Sequence, residues 1–252
     1  MKPLMRPIAL EVRGLRKRFD RTAVDGLDLT VYGGEFYALV GPNGAGKTTT
    51  LRMVAGLLRP DAGAIAIHGI DTLADPVSAK RMTAWVPDEA MIYDKLTPFE
   101  YLEFVAGLWG IDSAKAKALA DELIGWLGLT PHAHERCEGL SKGSRQKVAL
   151  AGALIHNPKL IILDEPLTGL DAGSARQVKN VLRDRVSAGG TVIMTTHILE
   201  VAERMSDRIG VISGGRLIAE GTLDELHRQS GHAAISLEET FLKLVAAPEV
   251  AA

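Results

Sequence analysis

The sequence predicts an α/β fold in which a mainly parallel sheet carries a phosphate-binding loop, with an antiparallel β-section and a helical insertion attached. Three observations lead there. Gly41-Pro42-Asn43-Gly44-Ala45-Gly46-Lys47-Thr48 completes a G-x-x-x-x-G-K-[ST] loop between the apolar run Phe36–Val40 and a stretch from Thr49 whose Leu51, Val54, Ala55 and Leu57 recur at helical spacing. Leu160–Leu163 and Thr191–Thr195 are short runs of the kind buried on both faces of a parallel sheet. Tyr93, Phe99, Tyr101, Phe104, Trp109 and Trp126 crowd the stretch 88–138, amid helix-forming Ala, Leu, Glu and Lys.

Taken in order, Ile8–Val12 and Leu27–Val31 alternate as strands do, and Ala64–His68 reads similarly between Gly63 and Gly69, so these should form the antiparallel section. Phe19 lies on the connection between the first two. An aromatic there either stacks on a purine or fills core. In the phosphate loop, Gly41, Gly44 and Gly46 let successive N–H groups turn inward, and the following helix adds the positive end of its dipole. Lys47 then reaches the β- and γ-phosphates as a point charge, and the Thr48 hydroxyl is placed for Mg²⁺.

Pro60-Asp61-Ala62-Gly63 punctuates the chain, and a strand from Met82 to Val86 ends at Pro87. In the helical insertion, Thr97-Pro98-Phe99-Glu100 is a helix start, with Asp112 or Ser113 capping the next helix. Its aromatics suit core, and their number also suits a groove that accepts a partner. Ser141 caps a further helix whose Val148, Ala151, Leu154 and Ile155 form one apolar face; a phosphate fits at such a start. The run Leu160–Leu163 ends in Asp164 and Glu165. Adjacent carboxylates at a strand end diverge, so Asp164 is expected to hold Mg²⁺ and Glu165 to be free for proton work.

His197 stands just past the carboxyl end of the strand Thr191–Thr195, the edge where open α/β sheets bind ligands, and is placed to donate to a γ-phosphate. The other six histidines lack such placement and are expected at the surface. Ile209–Ser213, Gly214-Gly215 and Arg216–Glu220 read as a hairpin. The tail from Thr222 is helical, with Leu237, Phe241, Leu242 and Leu244 forming an amphipathic stretch that packs on the body.

Composition limits the classes of function. A chain of 252 residues supplies a full core for one large domain or two small ones. The net charge of −2 argues against a nucleic-acid surface, and the cluster Arg13, Arg16, Lys17, Arg18 and Arg21 reads as a solvated face. The single cysteine, Cys137, excludes an internal disulfide and fits a reducing compartment. Pro3, Arg6 and Pro7 interrupt any signal-peptide pattern, and no apolar stretch approaches the ~20 residues of a membrane span. The expected location is cytoplasmic; work at a membrane would need something else to supply the spans.

With the phosphate loop, Leu140–Ser144, Leu160–Glu165, Gly169-Leu170-Asp171 and His197 in this order, the sequence resembles the nucleotide-binding subunit of ABC transporters, from about Ile8 to Gly221. Within them it looks most like the ATPase subunits of bacterial ABC-2-type exporters, through Asp164–Asp171 and the closing Ser236–Phe241. The resemblance implies a P-loop NTPase core over 1–87 and 139–221, a helical subdomain over 88–138 and a helical tail over 222–252. It implies ATP and Mg²⁺, and a head-to-tail pair, two copies of this chain or this chain with a relative, driving a separate integral-membrane subunit. ATP would be held by Gly41, Asn43, Gly44, Gly46, Lys47, Thr48 and Thr49 of one subunit and by Ser141 and Gly143 of the other, with Phe19 on the adenine. Glu165 would be the general base, His197 would contact the γ-phosphate, Thr48 and Asp164 would support Mg²⁺, and Asp171 would communicate across the pair. The partner would dock near Asp88 to Phe104.

Two departures bear on function. Asp88 stands where the family usually has Gln meeting Mg²⁺ and the attacking water, so a carboxylate there is expected to act as a metal ligand and at the catalytic centre, or to repel the nucleotide unless the metal compensates. Leu-Ser-Lys-Gly-Ser replaces Leu-Ser-Gly-Gly-Gln: Ser141 and Gly143 survive, whereas Lys142 and Ser144 do not match. Two rival readings are a soluble ABC-type ATPase acting on ribosomes or DNA, and a regulatory module that binds ATP without turnover. The first lacks its usual second ATPase unit or zinc cysteines here, and Glu165 with His197 argues against the second.

Overall fold

The computed structural model describes residues 6–230 and 236–246; the readings on Pro3 and on 231–235 and 247–252 lie outside them. Two sheets form the frame. The larger is built from β3 (Phe36–Val40), β6 (Thr83–Val86), β7 (Leu160–Asp164), β8 (Thr191–Thr196), β9 (Arg208–Ser213) and β10 (Arg216–Gly221), in the order β10-β9-β3-β8-β7-β6. All neighbours are parallel except the β9–β10 hairpin. The smaller sheet, in the order β2-β1-β4-β5, pairs β1 (Ile8–Arg18), β2 (Thr22–Tyr32), β4 (Ala62–Ile67) and β5 (Ile70–Asp71) antiparallel.

The central strands are apolar on both sides because both sides are covered. Along β8, Val192 and Met194 face the helices, while Ile193 faces the smaller sheet together with Leu39 of β3 and Leu10 of β1. Such strands must be joined by crossovers. The connections are α1 (Lys47–Val54), α2 (Pro76–Arg81), α3 (Pro98–Leu108), α4 (Ser113–Trp126), α5 (Lys142–Leu154), α6 (Ala172–Ser187) and α7 (Leu199–Met205). The consequence for function is positional: β3, β8 and β7 lie side by side in register, with Val40 opposite Thr196 and Asp164 opposite Thr195. The phosphate loop, Asp164-Glu165 and His197 therefore leave the sheet at one edge.

In the crowded stretch, Thr97 caps α3 in a full capping box with Glu100, with Pro98 in the first turn, and Asp112 caps α4 through its carboxylate. Helix α5 runs beneath both and buries Val148, Ala151, Leu154 and Ile155. The tail helices α8 (Leu223–Gln229) and α9 (Leu237–Ala246) pack Leu226 and Leu237 against Val40 and Val211, with Phe241 and Leu244 partly buried.

Several expectations need correction. Strands β1 and β2 each run 11 residues, longer than read, because bulges break the alternation after Val12 and Leu15. The basic cluster is thus largely strand, and its Arg13, Arg16 and Lys17 pair with Glu11, Asp25 and Asp61 at the surface. Helix α1 stops at Val54, leaving Leu57 exposed, and Leu242 also points outward. Met82 closes α2 rather than opening β6. The histidines are not uniformly superficial: His156 is half-buried, stacked on Trp109 with ring centroids 4.0 Å apart, and His68 is half-buried too. Burial holds the pKa of both imidazoles below the usual range, with the Lys159 charge adding to it at His68.

Candidate active site

The phosphate loop wraps an empty-handed helix start. Gly46 precedes α1 in the left-handed region at φ 104°, no side chain caps the helix, and its first turn carries no acidic residue. The free N–H groups and the dipole are thus left for an anion. Glycine is required here: a Cβ on Gly46 would lie 2.4 Å from the Ala23 carbonyl, and one on Gly41 2.3 Å from the Ile212 carbonyl. Lys47 is 7% exposed, its Nζ donating to the Gly41 carbonyl at 2.7 Å and to that of Pro42 at 3.1 Å. Burial draws its pKa down, against the opposing pull of Glu165 and Asp164.

The acids sit opposite. Asp164, almost wholly buried, accepts from the Thr48 hydroxyl at 3.0 Å and from the Thr195 hydroxyl at 2.6 Å. Thr195 in turn accepts the Glu165 N–H at 3.0 Å, so one buried hydroxyl joins both acids. Glu165 itself adopts φ 50°, a conformation that costs a non-glycine residue about 1–3 kcal/mol. That turn swings its carboxylate away from Asp164 and toward His197, whose Nδ1 lies 2.8 Å from Oε2; the Thr168 hydroxyl donates to the same oxygen at 3.3 Å. With Oε2 so engaged, Oε1 is left to accept a proton.

These parts enclose a cleft of about 660 Å³. Of the residues singled out in the sequence, Phe19, Asn43, Gly44, Gly46, Lys47, Thr48, Thr49, Asp88 and Glu165 line it; Asp164 and His197 join through Thr48 and Glu165. Phe19 is 55% exposed with the Lys17 ammonium 5.5 Å from its ring centre, which sets the core reading aside.

Ser141, Gly143 and Asp171 are not brought into the cleft. They form a second patch where the starts of α5 and α6 abut. Ser141 accepts from the Ser144 N–H at 3.1 Å, Asp171 accepts from the Ser174 N–H at 2.9 Å, and a Cβ on Gly143 would lie 3.8 Å from the Asp171 carboxylate. The Ser174 hydrogen bonds hold the Asp171 carboxyl below its ordinary range. One chain therefore holds in two separate places the residues that the family resemblance would assign to one site.

The ABC transporter family profile matches residues 24–168. The chain belongs to the ABC transporter family. It is 42% identical, over 88% of its length and 68% of the relative's, to the daunorubicin/doxorubicin resistance ATP-binding protein DrrA of Streptomyces peucetius. It is 40% identical to the Nod factor export ATP-binding protein I of Burkholderia lata, over 85% of its own length and 71% of the relative's. Among solved structures, a dimeric ATP-binding cassette in a post-hydrolysis state with ADP and Pi superposes with a TM-score of 0.78 at 25% identity, covering 85% of this chain and 98% of that one. As an ABC ATPase, the protein binds and hydrolyses ATP. None of its described helices is long and apolar enough to cross a membrane.

Sequence reasoning missed Thr195. A threonine inside Thr191–Thr196 reads as strand filler, and only the register that sets it beside Asp164 reveals the bridge. Thr195→Val keeps the shape and removes the hydroxyl, stranding the Glu165 N–H. It is expected to cost about 1–3 kcal/mol of stability in denaturant unfolding, and to lower kcat with little change in ATP affinity.

Proposed function

We propose that this ATPase is a cytoplasmic subunit, peripheral at the membrane, that pairs head to tail around two ATP molecules and drives a separate integral-membrane subunit, in the direction of export. The observation that carries the pairing is the division of the site: the cleft of one chain faces solvent where its own Ser141 and Gly143 do not reach. A second subunit, a copy or a relative, brings its α5 start to that opening. Export is supported by the relatives that carry resistance and export in their names.

In this reading the loop N–H groups from Gly44 to Thr49 bind the phosphates, Lys47 turns from the loop carbonyls to the β- and γ-oxygens, and Phe19 stacks on the adenine. Glu165 takes a proton from the attacking water on Oε1, held in place by His197. The imidazole's other nitrogen, which has no hydrogen-bond partner among the described residues, is left for the γ-phosphate. Ser141 and Gly143 of the paired subunit close the site and exclude water, and Asp171 keeps that subunit's α6 start in place beside them. Most of the rate gain is positioning and charge stabilisation.

The donors fit Mg²⁺. The Thr48 hydroxyl and Asp164 carboxylate stand 3.0 Å apart, and Asp88 lines the same cleft, all hard oxygen ligands. Thr48 and Asp164 would hold Mg²⁺ there, where it would supply neutralisation of phosphate charge. Asp88→Gln is expected to preserve or raise basal ATPase activity, because it removes a negative charge beside the γ-phosphate; complete loss in a phosphate-release assay would make the carboxylate a required ligand.

We divide the chain into a nucleotide core over 1–87 and 139–221, a helical subdomain over 88–138 and a tail over 222–252. The membrane subunit docks on the helical part near Asp88 to Phe104, where Met91 and Tyr93 are exposed and Tyr93 stands edge-on to Phe104 at 5.2 Å. Purification of the tagged protein from detergent-solubilised membranes, followed by mass spectrometry, tests this. A multi-spanning protein in stoichiometric amount is expected. Recovery from the soluble fraction alone, with ribosomal or DNA-associated proteins, would overturn the transport reading.

A further inference from the structure

Asp88 and Lys142 stand where the family pattern has uncharged residues, and they carry opposite signs. Both are exposed, and neither has a hydrogen-bond or ion-pair partner for its side chain among the described residues. Val86 on β6 stands opposite Leu163 on β7, so Asp88 and Glu165 leave the sheet side by side, and both line the cleft. The lining carries the acids Asp20, Asp88 and Glu165 against the bases Arg21 and Lys47. A cleft shaped for a polyanion thus starts with an excess of negative charge. Glu165 is engaged with His197, and Asp20 adjoins Phe19 at the end proposed for adenine, which leaves Asp88 as the unanswered acid at the phosphate end.

Lys142 opens α5, directly after Ser141. The helix dipole opposes a cation there, and the first turn of α5 holds no acid to answer it. Asp171, on the same patch, instead accepts from the Ser174 N–H. The Lys142 stem lies over Gly169, where an added Cβ would come within 3.3 Å of Nζ and 3.5 Å of Cδ and Cε. The ammonium is thereby laid along the patch that holds Ser141 and Gly143.

We infer that Lys142 is the cation that a second copy of this chain brings to Asp88, so that the two unpaired charges form one contact, made twice in a pair of identical chains. The inference rests on the pairing proposed above and names the partner as a second copy. Identical chains that each fill the other's cleft are related by a two-fold axis, so a contact from patch to cleft is repeated from cleft to patch. Each Lys142 then enters a cleft whose excess negative charge grows when ATP binds. Closed in beside Asp88 and the phosphates, the ammonium interacts more strongly than it does in water. A relative with an uncharged residue at position 142 leaves Asp88 unanswered, so the match favours self-pairing over mixed pairing.

Sedimentation velocity at saturating Mg²⁺ and ATP tests this in a Glu165→Gln parent, where turnover is blocked and the dissociation constant of the pair is the readout. Lys142→Met keeps the stem over Gly169 and removes the charge. It is expected to weaken pairing about tenfold or more when Asp88 is present, and by no more than about twofold when Asp88→Gln is added. An equal loss in both backgrounds, or no loss in either, overturns the match. Charge exchange gives a second test. Lys142→Asp and Asp88→Lys proteins should each pair poorly alone, because like charges meet at both sites. Mixed, they should recover most of the parent's affinity, because each site again joins one acid to one base. A mixture that pairs no better than its components overturns the match while leaving the pairing intact. A parent that binds ATP and stays monomeric at every concentration overturns the pairing itself, and the match with it.

Discussion

Glu165→Gln is expected to lower steady-state ATP turnover by about 10²–10⁴-fold with ATP affinity unchanged. The substitution keeps the size of the side chain and its capacity to accept from His197 and Thr168, so the φ 50° turn and the Thr195 bridge stay in place. What is lost is the basic Oε1. In the proposed site the phosphates are bound by the loop, Lys47 and Thr48, so the cost is expected to fall on kcat rather than on binding. Phosphate release measured against fluorescent-nucleotide affinity separates the two. Turnover within a few-fold of the parent would assign the proton to another group; equal loss of affinity would place Glu165 in binding.

Lys47→Ala is the second large effect, and its signature is opposite. Charge-assisted hydrogen bonds to phosphate are worth about 1.5–3 kcal/mol each, so ATP affinity should fall about ten- to a hundredfold or more. Fold stability should not fall with it. In the free chain the ammonium is buried against two loop carbonyls, and burial already disfavours its charged form. Removing a desolvated cation whose partner is still to arrive relieves that cost. Thermal unfolding without nucleotide is expected to show an unchanged or raised midpoint, whereas the shift on adding ATP should largely vanish. A drop in the midpoint without ligand would make Lys47 a structural residue of the loop.

The parts of the site that were legible in the sequence are those whose chemistry is local. Gly41 to Thr48 can be read because three glycines, a lysine and a hydroxyl at fixed offsets have one obvious use, and Asp164-Glu165 because two acids closing an apolar strand are expensive unless employed. The sheet was legible for the same reason: Phe36–Val40, Leu160–Leu163 and Thr191–Thr195 are too apolar to lie anywhere but between two layers. What could not be read depends on register. Thr195 matters through its neighbour on β7. Helix α6, which went unassigned, buries only Val178, Val181 and Leu182 and is otherwise polar, so its apolar stripe is too thin to announce it. The bulges that let β1 pass Gly14 likewise spoil the period on which strand reading rests.

The division of the site also explains why the residues alone gave Ser141 as no more than a capped helix start where a phosphate fits, and gave Asp171 no role, their shared use coming only through resemblance. Within one chain they cap α5 and α6 and nothing more. In the proposed pair, their use begins when a second chain supplies the phosphates.

That claim is tested most directly by sedimentation velocity of the Glu165→Gln protein with Mg²⁺ and ATP, with bound nucleotide counted in the same sample. The account predicts a monomer without nucleotide and, with it, a dimer holding two ATP, abolished by adding Ser141→Arg. A monomer that binds one ATP tightly and never pairs, or a dimer that forms equally without nucleotide and survives Ser141→Arg, would contradict it.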